Sequence, residues 1–172
     1  GNSWDLEVPL YFAPPDFAET PSLKRSNAFQ IVGEECKSVR SGVGLLDITG
    51  FSRFEVSGPN AEAWLNKVMA SKLPNPGRAS LAPMLSEEGK LKGDLTIFNG
   101  GDGTWWIMGS YYLRAWHMRW FNDHLTDGVS ILDLGENWAG FSLSGPKSKE
   151  VISRITDFPV DELKFMGCAN MD

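Results

Sequence analysis

At 172 residues, 42% of them apolar and 22% charged, the chain has the size and composition of one globular domain with a true core, not of a disordered segment. A net charge of −6 speaks against a general nucleic-acid or anionic-membrane surface, because both need clustered cations, and leaves room only for a local anion pocket. No apolar run approaches a membrane span, no signal-peptide core opens the chain, and Cys36 and Cys168 sit in no metal pattern, so a reducing, cytoplasmic setting is expected.

Residues 1–24 interleave Pro9, Pro14, Pro15 and Pro21 with Trp4, Leu6, Leu10, Tyr11, Phe12 and Phe17. Proline prevents a regular helix or central strand there, yet the aromatic content is too high for a solvated linker, so an extended strap is expected. Ser26 or Asn27 can cap a helix whose buried stripe would be Phe29, Val32, Cys36 and Val39. Gly42 and Gly44 end it, and Val43–Ile48 begins buried extended structure.

A hexapeptide then occurs twice. Phe54-Glu55-Val56-Ser57-Gly58-Pro59 returns as Phe141-Ser142-Leu143-Ser144-Gly145-Pro146. Each copy reads as a strand, a Ser-Gly turn, and a proline opening a helix, where its missing N–H is no loss. The helices repeat one apolar spacing, Trp64, Leu65 and Val68 against Val151, Ile152 and Ile155. Two matching halves sharing one sheet are expected.

Between the copies, Leu73–Arg78 is a loop by composition, and strands are predicted over 80–86, 90–98 and 104–108. Asn99-Gly100-Gly101-Asp102-Gly103 is the strongest turn signal and joins the last two. Residues 111–125 carry Leu113, Trp116, Trp120, Phe121 and Leu125 at helical spacing, and Val129–Leu134 is a further strand. The fold class is α+β: an antiparallel or mixed sheet with helices packed on it.

No G-x-S-x-G, P-loop or G-x-G-x-x-G is present, and Gly42-Val43-Gly44 lacks the third glycine and the following helix. His117 and His124 are seven apart on the aromatic helix, too far along it to grip one metal, and read as satisfied structural histidines; no metal site is expected. Asp94 is different, because aspartate is disfavoured inside a strand and a buried unpaired carboxylate is costly. Gly93 before it lets a backbone or ligand come close. The plain alternative is a solvated polar face, since period 2 places Lys90, Lys92, Asp94 and Thr96 on one side.

The chain also carries a resemblance. Trp4-Asp5-Leu6-Glu7-Val8-Pro9-Leu10-Tyr11-Phe12, Arg25-Ser26-Asn27, Val32-Gly33-Glu34-Glu35-Cys36 and Val43-Gly44-Leu45-Leu46-Asp47-Ile48-Thr49 lead into the first repeat. Met84-Leu85 and Gly93-Asp94-Leu95-Thr96 follow. In this order the motifs resemble the folate-binding, aminomethyltransferase-type module of the glycine cleavage T-protein family. The closer likeness is to the branch fused behind flavin domains in dimethylglycine and sarcosine dehydrogenases. Trp106-Ile107-Met108-Gly109-Ser110, where T-proteins proper tend to have asparagine, is more like that branch.

The resemblance implies one-carbon transfer to tetrahydrofolate, with Asp94 facing the folate N10 and the one-carbon unit. Met84 and Phe98 fall beside the same pocket, with a plain core role open for both. It implies a folate-binding domain over 25–172, cut short at its C-terminal end before the Tyr-x-Gly-Glu motif that grips the pterin. It also implies an imine derived from an N-methyl amine as the second substrate, and FAD on a flavin domain of the same longer chain but absent from this one. The setting would be the mitochondrial matrix if the source is eukaryotic. A stand-alone T-protein-like aminomethyltransferase and a non-catalytic folate-fold binding or assembly domain are the alternatives.

Overall fold

A computed structural model describes residues 2–3, 6–7 and 9–171. Trp4, Asp5 and Val8 of the opening motif, and Asp172, lie outside the described residues. The first elements are β1 (Asn2–Ser3), β2 (Leu6–Glu7), α1 (Ala28–Ser41), β3 (Gly44–Asp47), β4 (Ser52–Ser57) and α2 (Ala61–Val68). Then come β5 (Arg78–Leu85), β6 (Leu91–Asn99), β7 (Trp105–Gly109), α3 (Arg114–Asp123), β8 (Ser130–Asp133), β9 (Phe141–Ser144) and α4 (Ser148–Ile152). The chain divides into two compact units, residues 1–45 with 143–152 and residues 46–142 with 153–172.

The second unit is built on a five-stranded sheet in the order β5-β6-β7-β4-β8, every pairing antiparallel. Its strands form where apolar residues alternate. Phe54 and Val56, Leu95 and Ile97, and Trp105 and Ile107 point to one side and are buried. Trp64, Leu65 and Val68 of α2 and Phe121 of α3 close that side into one core. The Phe121 ring meets Phe54 edge-on at 5.2 Å and Trp64 at 5.9 Å. Burying each such side chain contributes about 1.5–3 kcal/mol, and the Trp64 indole N–H is satisfied by the His124 carbonyl at 2.6 Å.

The predicted turn at 99–103 joins β6 to β7, with Asn99 accepting from the Gly101 N–H at 3.0 Å and Asp102 from the Thr104 N–H at 2.9 Å. Past the last helix the chain returns to the start of β5, where the Ala79 N–H donates to Met166 and the Cys168 N–H to Gly77.

The two hexapeptides make the same turn but do not share a sheet. Gly58 and Gly145 have φ of +110° and +119°, a conformation L side chains rarely adopt. A Cβ on Gly58 would collide with the Gly128 carbonyl, and one on Gly145 with the carbonyls of Gly42 and Val39. Beyond the turns the copies diverge. Both edges of β4 are taken, by β7 and β8, whereas among the described residues β9 pairs only with β3. The second helix is also shorter than its spacing predicts, and Ile155 lies beyond it, 73% exposed.

In the first unit the strap is tied to the start of α1. Tyr11 packs edge-on to Phe17 and donates to Glu19 at 2.7 Å, and the Phe12 N–H donates to Glu35 at 2.8 Å. Asn27 stands at the head of α1, but its side chain bonds the strap, at Thr20 and Ala18, instead of capping a helix N–H. The expected buried stripe is corrected: Phe29, Val32 and Cys36 are exposed, Val39 is half-buried, and Ala28 is the buried residue of α1. Strap and helix meet at Glu35 and Asn27, which are polar positions, so the apolar stripe gains no cover from the strap. Leu45 and Leu46 of β3 are likewise exposed and not buried, since a two-stranded pair has no third strand or layer of its own to cover them.

Candidate functional site

With one face of the five-stranded sheet covered by α2 and α3, the alternate residues define the other. In register across it stand Pro83 beside Asp94, Leu81 beside Thr96 and Met108, and Ala79 beside Phe98 and Trp106. Glu55 and Leu132 continue the Trp106 row onto β4 and β8. Much of this face is open: Leu81 is 66% and Leu132 55% exposed. Trp138, from the loop before β9, stands edge-on to Trp106 at 4.8 Å and 86°. Exposed apolar side chains grouped on one rigid surface mark a place for a partner or ligand.

Asp94 is exposed on β6, and among the described residues its carboxylate makes no hydrogen bond or ion pair. Phe98 lies on the same face, four residues on, or about 13 Å along an extended strand. Met84 is on the opposite face. It pairs with Gly93, is fully buried, and belongs to the core. The structure therefore brings Asp94 and Phe98 to one surface and gives Met84 to the packing beneath it.

Lys92 does not share the Asp94 face, contrary to simple alternation. The register runs Met84↔Gly93 and then Leu85↔Leu91, so Lys92 is an extra, unpaired residue in a β-bulge. Bulges re-aim side chains. The Lys92 ammonium lies 5.3 Å from the ring centres of both Trp116 and Trp120 on α3. Asp94, two residues later, therefore faces the open side without that cation beside it.

Arg53, on β4, holds the loop that leads into the sheet. It is 4% exposed, and its guanidinium donates to the carbonyls of Ile48, Thr49 and Phe51 at 2.9–3.0 Å. The Thr49 N–H in turn donates to Asp47 at 2.7 Å, and hydrogen bonds from Thr49 hold that carboxyl below its usual pKa. Neither Arg53 nor Trp138 was nominated from the sequence. Arg53 reads as an ordinary strand residue, and Trp138 lies in a loop with no periodicity to aim it.

The structure places the two histidines in different surroundings. His124 is exposed at the end of α3, its ring 4.2 Å from that of Trp120 and Nδ1 2.8 Å from the Trp120 carbonyl. His117 is 1% exposed and is not satisfied, because neither ring nitrogen has a hydrogen-bond partner. Burial pushes its pKa below the ordinary histidine value, against a smaller upward pull from the nearby Lys92 backbone. No group of three metal-ligating side chains occurs among the described residues. A groove of about 570 Å³ lies at the C-terminal end of α3, between Lys67, Leu85, Glu87, Lys92, Trp120 and His124. Its walls mix both charge signs, and it does not include Asp94 or Phe98. No described helix is long and apolar enough to cross a membrane.

Comparison with known proteins bears on the family and the fold. Mouse dimethylglycine dehydrogenase is 26% identical over 167 residues, covering 93% of this chain and 19% of that protein. The aminomethyltransferase of Geobacillus kaustophilus is 28% identical over 138 residues, covering 79% of this chain and 38% of that one. The chain thus spans between a fifth and two-fifths of these curated relatives. Among solved structures, aminomethyltransferase T of the glycine cleavage system from Bartonella henselae superposes with a TM-score of 0.70 at 18% identity, over 81% of this chain and 38% of that one. A chain of the heterotetrameric sarcosine oxidase from Corynebacterium sp. U-96 superposes with a TM-score of 0.59 at 16% identity, over 88% of this chain and 77% of that one. These two share the α+β fold. The model of the GCVT N-terminal domain family matches residues 1–172, and the chain belongs to that aminomethyltransferase-type family.

Proposed function

We propose that the chain is the tetrahydrofolate-dependent one-carbon transfer module of a dimethylglycine dehydrogenase- or sarcosine dehydrogenase-like enzyme, capturing an imine carbon as methylenetetrahydrofolate. The observation that carries this reading is Asp94, a carboxylate without a partner among the described residues, exposed inside a strand where aspartate is otherwise disfavoured. On a family member, such a group is placed for chemistry more readily than for packing. Asp94 accepts or orients the proton released when the amine nitrogen is alkylated, and its charge steadies the cationic carbon–nitrogen group before capture. When bound, tetrahydrofolate would supply the two nucleophilic nitrogens that take up the carbon, as its bond to the original amine breaks and the demethylated amine leaves with the proton.

The residues present fit a flat, partly aromatic ligand. Phe98, Trp106 and Trp138 offer ring faces and edges on the surface that carries Asp94. Met84 supports this surface from the core and need not touch the ligand. In this reading the imine is generated on a flavin domain elsewhere in a longer protein, which agrees with a chain spanning 19% of mouse dimethylglycine dehydrogenase.

Asp94→Asn in the enzyme that carries this chain tests the assignment. The variant is expected to keep the wild-type melting temperature and rate of dimethylglycine oxidation, while methylenetetrahydrofolate formation falls by about 10²-fold. Undiminished folate product from the variant would sink the reading.

A further inference from the structure

We propose that His117 is a positioning residue for Asp94: buried beneath the β-bulge at Lys92, its imidazole fixes the Lys92–Gly93 backbone and so the direction in which Asp94 leaves β6. The proposal rests on Asp94 being the acting carboxylate.

The bulge is held from below by consecutive turns of α3. Lys92 is the residue without a register partner, so its backbone is released from the ladder at this point. Its side chain is held over Trp116 and Trp120, and His117 stands between them in sequence, one position after Trp116. A Cβ on Gly93 would lie 2.8 Å from Met84 Cε and 2.9 Å from His117 Nε2. On β7, a Cβ on Gly109 would collide first with Leu95 Cδ2 at 2.5 Å, and would stand in ordinary contact with His117 Nδ1 at 3.4 Å. Gly93 therefore leaves room for this ring directly under the backbone that precedes Asp94.

A purely apolar ring would fill the space more cheaply. Both imidazole nitrogens are buried without a hydrogen-bond partner, a penalty that phenylalanine would not incur. The Lys92 backbone, on the bulge, favours the protonated ring, as an acceptor carbonyl does. An imidazole N–H beneath that carbonyl can close on it when the bulge flexes, and this gives the strand a preferred position for the aspartate. Small displacements of a reacting group are expensive, since about 1 Å can cost 10²-fold in rate.

The test is a double-mutant cycle in the enzyme that carries this chain, read as methylenetetrahydrofolate formed from dimethylglycine and tetrahydrofolate. His117→Phe keeps a ring in the site and removes its nitrogens; His117→Asn keeps a donor. We expect His117→Phe to lower kcat for folate product about tenfold or more with the KM for tetrahydrofolate within about twofold. His117→Asn should recover most of that loss, and His117→Phe should cost nothing further in the Asp94→Asn background. A full additional loss in that background would overturn the positioning role while leaving the Asp94 assignment standing. A loss in both His117 variants that follows their melting temperatures would likewise overturn it in favour of a packing role. If Asp94→Asn alone is silent, both proposals fall.

Discussion

His117 shows how burial and polarity compete at a single residue. Because the buried ring resists protonation, the native state holds fewer protons than the unfolded chain wherever pH lies between the depressed pKa and the ordinary value of 6.5. Stability from this residue is therefore complete above about pH 6.5 and is lost as pH falls, with a slope of at most about 1.4 kcal/mol per pH unit. Asp47 and Glu88 act in a different window. Hydrogen bonds from Thr49 and Ser86 lower their pKa values, so their contributions are lost only below the ordinary carboxylate values of 3.8 and 4.5. Urea midpoints measured from about pH 8 to 5 at constant m should decline below about pH 6.5 in the wild type and stay flat in His117→Phe. Equal slopes in the two proteins would show that His117 is not the titrating group. The sequence reads His117 and His124 alike, as satisfied structural histidines, and what separates them was not legible, because burial and pairing depend on which backbone groups pack against each ring. Asp94 and Phe98 share a face as period 2 requires, and the same rule, followed past the bulge, misplaces Lys92.

At the scale of elements, the strands were legible and the helix surroundings were not. Alternation fixes which side of a strand is buried wherever one face meets a core, so β4, β6 and β7 lie where their patterns put them. A helical stripe states only that a partner layer is possible. The stripe on α2 is buried, whereas that on α1 is not. The repeated Ser-Gly-Pro turn was legible as a local unit, but its sheet was not, since pairing is decided by which strand edges remain free. The turn itself is demanding. Gly58→Ala must place a side chain at φ +110° and against the Gly128 carbonyl, whereas Gly50→Ala meets no atom within 4 Å and no positive φ. Chemical denaturation should show a loss of about 2–3 kcal/mol for Gly58→Ala and a change within about 0.5 kcal/mol for Gly50→Ala. Comparable losses in both would mean that the strand-to-helix turn relaxes around an added methyl and that glycine is not required there.

At the scale of the whole molecule, the uneven distribution of buried apolar surface sets where the fold is strong. In the unit formed by residues 46–142 and 153–172, the sheet and its two helices enclose Phe54, Trp64, Leu65, Ile97, Ile107 and Phe121 in one cluster. In the unit formed by residues 1–45 and 143–152, Ala28 is the one fully buried apolar side chain among the described residues. Its strap and helix are joined instead by hydrogen bonds at exposed positions, such as Phe12 to Glu35 and Asn27 to Ala18. Each of these contributes about 0.5–1.5 kcal/mol at most and less where water competes, and an isolated 14-residue helix is only marginal in water. Opening α1 should therefore expose little apolar surface and need much less free energy than opening the sheet. Native-state hydrogen exchange resolves the two. Amides of β4, β6 and β7 should exchange at the global unfolding free energy and with its dependence on denaturant. Those of α1 should exchange several kcal/mol sooner and almost independently of denaturant. Equal protection of α1 and β6 would show that the two units unfold as one, and that exposed hydrogen bonds bind the strap and helix as firmly as buried rings bind the sheet.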